Sequence, residues 1–167
     1  MMRLTTKGRF AVTAMLDLAL NQVAGRVSIV SISKRNNISL YYLEQLFIKL
    51  RKCSLVRGMR GPSGGYYLAK LPDKITLADI ISAVDECIDS TSCSGRVNCI
   101  KDKLTGEYKK CLTHDLWSDL NRQMFDYLNS ISLLDLMLIH RNGLKHSPQK
   151  DQEVYIVKNL GCNLTTV

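Results

Sequence analysis

The sequence predicts a mainly α fold: a winged helix-turn-helix unit with a two-stranded wing, followed by a long C-terminal helix. Three observations predict it. Apolar residues recur at helical spacing over about residues 6–24 and again over 39–53, on either side of an Asn-Asn pair. A Gly- and Pro-containing turn at residues 61–65 separates two short runs of strand character. An apolar stripe of Leu112, Leu116, Leu120, Met124, Leu128 and Ile131 then follows at helical spacing.

The first helix, Thr6 to Ala24, carries Phe10, Ala11, Ala14, Met15, Leu18 and Ala19 on one face and is closed by Gly25. A short amphipathic stretch, Ile29 to Asn36, ends at Asn36-Asn37, and asparagine tolerates the left-handed conformation that a tight turn between helices requires. Ser39 is placed to cap the next helix, which runs to about Cys53 with Leu40, Leu43, Leu46, Phe47 and Leu50 on one face and Tyr41, Glu44, Gln45, Lys49, Arg51 and Lys52 largely on the other. Two short helices joined by so short a turn, the second rich in hydrogen-bonding side chains, form a helix-turn-helix with its recognition helix.

Residues 55–60 read as a strand, Gly61-Pro62-Ser63-Gly64-Gly65 as a turn and Tyr66-Tyr67-Leu68-Ala69 as the returning strand, which together make the wing. Arg60 falls at its tip, where an arginine can enter a narrow minor groove. The glycines also suggest a phosphate cradle, but the Gly-Lys-Ser/Thr step and the following helix of a P-loop are missing.

Charge supports a polyanionic partner. Residues 1–70 hold 12 Lys/Arg against only Asp17 and Glu44, a balance of +10, whereas residues 71–167 hold 11 against 13, a balance of −2. Each cation placed on a phosphate releases condensed counterions, so such a unit is suited to double-stranded DNA; a solvated basic face is the alternative.

After Pro72, residues 76–84 read as a linking helix with Leu77, Ile80, Ile81 and Val84 on one side. A winged helix of some 70 residues has no room to cover the stripe from Leu112 to Ile131 fully, so a homodimer is expected, with the long helix as its dimerisation element; the alternative is that the stripe folds back on its own domain. The domain organisation is thus residues 1–72 for the winged helix-turn-helix, 73–140 for the linking helix, a ligand loop and the dimerisation helix, and 141–167 for a weakly ordered polar tail.

Cys93, Cys99, Cys111 and His114 lie within one 22-residue stretch. Three thiols and an imidazole make a complete four-ligand set for a metal or cluster. The spacings fit poorly with the short knuckles of structural zinc, and an imidazole among thiolates makes a bound group easier to lose. Cys87, six residues before Cys93, reads either as a competing ligand or, preferably, as an inert buried thiol, and Cys162 is given no role.

The opening Met2-Arg3-Leu4-Thr5-Thr6-Lys7-Gly8-Arg9-Phe10-Ala11-Val12-Thr13-Ala14-Met15-Leu16-Asp17, the segment Ile38-Ser39-Leu40-Tyr41-Tyr42-Leu43-Glu44-Gln45-Leu46-Phe47 and Arg60-Gly61-Pro62-Ser63-Gly64-Gly65-Tyr66 resemble the IscR family over about residues 2–140. The resemblance implies a homodimeric repressor that senses iron–sulfur cluster status through a [2Fe-2S] cluster and controls cluster assembly genes, with the assembly machinery as cluster donor. It implies Cys93, Cys99, Cys111 and His114 as ligands. It further implies Ser39, Tyr41, Glu44, Gln45 and Arg51 on the recognition helix, and Arg60 with Gly61 in the wing, as DNA-binding residues, Glu44 tuning the choice of operator. One departure is plain: the family places five residues between its second and third cysteines, whereas eleven separate Cys99 from Cys111 here. Loop-closure entropy grows slowly with length, by about 0.3 kcal/mol for such an extension.

No apolar run of about 18 residues and no signal-peptide pattern is present, so a cytoplasmic protein is expected, with no membrane partner. A nucleophile elbow, a P-loop and HExxH are likewise missing, and no catalytic residues are expected. The rival functions are a zinc- or thiol-dependent winged-helix switch and an electron-transfer iron–sulfur protein; the latter needs neither the basic unit nor the wing.

Overall fold

The structure, a computed structural model, describes residues 6–61, 64–84, 99–101 and 106–142. Helix α1 (Thr6–Asn21) buries Ala11, Ala14, Met15, Leu18 and Ala19 along one face, and its last turn tightens into a 3-10 helix at Gln22–Ala24. Helix α2 (Ile29–Asn36) starts at Ser28, whose side chain accepts from the Ser31 N–H, and stops where Asn37 turns left-handed at φ 51° and ψ 43°. The Ser33 hydroxyl locks that turn by donating to the Ile38 carbonyl at 2.6 Å.

A carboxylate sets the angle between α1 and α2. Asp17, 10% exposed, accepts from Arg35 Nε at 2.9 Å, Arg35 Nη2 at 2.5 Å and Asn36 Nδ2 at 2.7 Å. The hydrogen bond to Asp17 raises the Arg35 pKa above its ordinary value. One of the two acids in the basic segment is thereby committed to holding the turn.

Helix α3 (Leu40–Lys52) buries Leu43, Leu46, Phe47 and Leu50. Ser39 occupies its cap position, but its side chain accepts no capping bond. Strands β1 (Val56–Met59) and β2 (Gly65–Leu68) pair antiparallel, Val56 opposite Leu68 and Met59 opposite Gly65. Val27 joins as a third edge, exchanging backbone hydrogen bonds of 2.9 and 2.8 Å with Tyr66. That approach requires glycine at position 65, since a Cβ there would lie 2.8 Å from the Val27 carbonyl oxygen. The Tyr66 ring meets Phe47 edge-on at 4.7 Å, which anchors the wing to α3.

A 3-10 turn at Pro72–Lys74 leads into α4 (Leu77–Ala83), whose capping box pairs Thr76 with Asp79. A short hairpin, β3 (Ile100–Lys101) with β4 (Tyr108–Lys109), precedes α5 (His114–Asn129) and α6 (Leu133–Asn142). The single long helix expected from the stripe is therefore two. The cause is local: the Ser132 hydroxyl accepts from the Asp135 N–H at 3.2 Å while Asp135 Oδ2 accepts from the Ser132 N–H at 2.8 Å, a capping box that starts a new helix.

This second box lies against the first. Thr76 and Ser132 form an antiparallel bridge, the Leu77 N–H donating to the Ile131 carbonyl at 3.0 Å and the Leu133 N–H to that of Ile75 at 2.8 Å. Ile131 and Leu133 are thereby buried in one core with Met15, Leu18, Phe47, Ile75 and Ile80, and α6 packs on α1. Arg141 and Asn142, placed in the polar tail by the sequence, close α6; residues 143–167 lie outside the described residues. Among the described residues no helix is long and apolar enough to cross a membrane.

Candidate nucleic-acid interface and metal centre

The buried positions of α3 leave Tyr41, Glu44, Gln45, Ile48, Arg51 and Lys52 on its outward face. Tyr41 is 72% exposed. Ser39, Glu44, Gln45 and Arg51 are exposed as well, and Tyr41, Glu44, Gln45 and Arg51 fall on one face of the helix. Arg60 and Gly61 are exposed where β1 runs into the turn, and Gly61 sits at φ +116°, a conformation that favours glycine. Two further exposed residues were not singled out by the sequence: Ile48 on that face of α3, four after Glu44 and three before Arg51, and Arg57 on β1 opposite Tyr67. The spacing along α3 was the available signal for Ile48.

A candidate metal centre lies at the β3–β4 hairpin. Cys99 immediately precedes β3, and Cys111 follows β4 by two residues, so strand pairing returns the chain to its starting point. A turn then delivers His114, whose backbone N–H donates to the Cys111 carbonyl at 3.0 Å. The ligand atoms of Cys99, Cys111 and His114 all lie within 4.8 Å of one another, with His114 Nδ1 3.0 Å from Cys99 Sγ. His114 is 6% exposed and opens α5, while Cys111 stands three residues before the helix. Cys93 lies outside the described residues, as do Cys87 and Cys162. The eleven residues between Cys99 and Cys111 thus separate the ligands in sequence and not in space.

Comparison with known proteins decides the family. The profile of the Rrf2 family, described as iron-dependent transcriptional regulators, matches residues 4–138. The chain belongs to the Rrf2 family. Among its relatives, the transcriptional regulator IscR of Escherichia coli is 53% identical over 136 residues, covering 81% of this chain and 80% of that one. Among solved structures, T. potens IscR superposes with a TM-score of 0.67 at 32% identity, covering 86% of this chain and 91% of that one. CymR, the global cysteine regulator of B. subtilis, superposes with a TM-score of 0.63 at 34% identity over 83% and 98% of the two chains.

The Rrf2 assignment makes this chain a winged-helix, DNA-binding transcription regulator, in agreement with the fold read from its sequence. Its cysteine and histidine donors also fit a metal or cluster. Two sulfur atoms and one imidazole nitrogen converge on one small volume, and all are soft or borderline donors suited to iron or zinc. The candidate site lies beside Thr113, whose hydroxyl accepts from Trp117 Nε1 at 3.2 Å, so the chain's single tryptophan stands one helical turn from His114.

Proposed function

We propose that this Rrf2 regulator binds operator DNA as a homodimer and responds to iron–sulfur cluster status, repressing cluster assembly genes when Cys93, Cys99, Cys111 and His114 hold a [2Fe-2S] cluster supplied by the assembly machinery. The observation that carries the reading is the convergence of Cys99, Cys111 and His114 across eleven intervening residues. Two thiols and an imidazole gathered in so small a volume form a donor set whose chemistry suits iron or zinc. The bound group would supply a redox-active and removable centre.

The DNA-reading residues follow from exposure and spacing. Tyr41, Gln45 and Arg51 on the outward face of α3 offer hydrogen bonds to base edges and phosphates in a major groove, with Ser39 at the helix start. Glu44 on that face is repelled by phosphates, which gives it a role in rejecting sequences that offer it no cytosine amino group. Arg60 and Gly61 place a cation at the wing for the flanking minor groove. The stripe of Leu116, Leu120, Met124 and Leu128 on α5, with Leu116 63% exposed and the others half-buried, supplies the apolar surface for a second copy.

Anaerobic purification followed by absorption spectroscopy and iron and sulfide analysis tests the cluster. Coloured wild-type protein with equal iron and sulfide, and colourless Cys111→Ala, are expected. Colourless wild-type protein carrying stoichiometric zinc would overturn the proposal.

A further inference from the structure

Two short strands between Cys99 and Cys111, Ile100–Lys101 and Tyr108–Lys109, pair antiparallel. Ile100 stands opposite Lys109 and Lys101 opposite Tyr108, so the strand ends nearest the ligands are held in register. Gly106, at φ +72°, makes the return to β4 in a conformation that side chains rarely adopt.

We infer that the β3–β4 hairpin is the positioning element of the metal centre: its pairing, and not the metal, brings Cys99 and Cys111 together, with Gly106 as the residue that permits the turn. The inference rests on the ligand set proposed above. In a flexible loop of eleven residues the two thiols would meet rarely, and each binding event would have to close the loop; the hairpin closes it beforehand. Metal affinity and retention are thus set partly by residues that touch no metal, and opening the hairpin releases two ligands at once.

The test uses cobalt(II) as the probe on the full-length apoprotein, titrated anaerobically. Thiolate-to-cobalt charge-transfer absorption reports the ligands, and the fluorescence of Trp117 reports the start of α5. A variant with residues 100–109 replaced by ten Gly and Ser residues keeps the loop length and every ligand but removes the pairing. It is expected to bind cobalt roughly 30-fold more weakly than wild type, the factor by which an open loop of this size reduces ligand encounter, and to release it faster to a chelator. Gly25→Val, which introduces comparable backbone strain outside the ligand loop at φ +124°, is expected to bind as wild type does. Should the linker variant lose its far-UV circular dichroism, Gly106→Val strains the turn alone, and a several-fold loss is expected there. Wild-type affinity and release rate in the folded linker variant, or in Gly106→Val where that variant stands in, overturn the hairpin's role and leave the ligand set intact. Wild-type protein that takes up no more cobalt than Cys111→Ala overturns both.

Discussion

Arg60 is exposed at the end of β1 and followed directly by Gly61, whose positive φ turns the chain away and leaves the guanidinium side chain at the corner of the wing. Its substitution by alanine is expected to weaken operator binding by about 1–3 kcal/mol and to lower the salt dependence of binding by about one phosphate contact, measured by fluorescence anisotropy at several salt concentrations. An unchanged affinity with an unchanged salt slope would remove the wing from the interface. Glu44 and Asp17, the two acids of the basic segment, differ in kind: Asp17 is nearly buried and bonded to Arg35 and Asn36, whereas Glu44 faces outward among the candidate reading residues. Sequence alone showed that both are rare exceptions to a basic pattern, but not that one of them holds the turn, because Asp17 and Arg35 are eighteen residues apart.

Helices and strands whose signals are local were legible. Asn37 takes the left-handed conformation its type favours, Thr76 and Asp79 form a capping box, and the glycines of the wing turn occupy positions that need them. The break between α5 and α6 was not, because the apolar period runs through it unchanged to Ile131, a residue that turns out to belong to the winged-helix core. The Ser132-Leu-Leu-Asp135 pattern was the one mark of that break. The β3–β4 hairpin was equally hidden, since strands of two residues carry no period. Ser132→Ala is expected to lower unfolding free energy by about 1 kcal/mol with an unchanged urea m-value, as the loss of a cap does. Stability equal to wild type would mean that the junction is held by the Thr76–Ser132 backbone bridge alone.

For the whole molecule, a basic winged helix is joined through α4 to an amphipathic α5 whose apolar residues are only partly covered. Leu120→Glu places a charge in the apolar stripe of α5 and is expected to convert a dimer into a monomer in sedimentation equilibrium. Operator binding should then fall by at least tenfold, as two linked reading surfaces are reduced to one. A dimer that persists would place the interface elsewhere. The bridge between Thr76 and Ser132 also bears on how the chain is made. Because Ile131 and Leu133 complete the core beneath α1 and α4, the recognition helix leaves the ribosome well before the core that supports it can close. The segment from residue 93 to 114 that carries the candidate ligands is synthesised in that interval, so each chain has those residues in hand before the core beneath its recognition helix is complete.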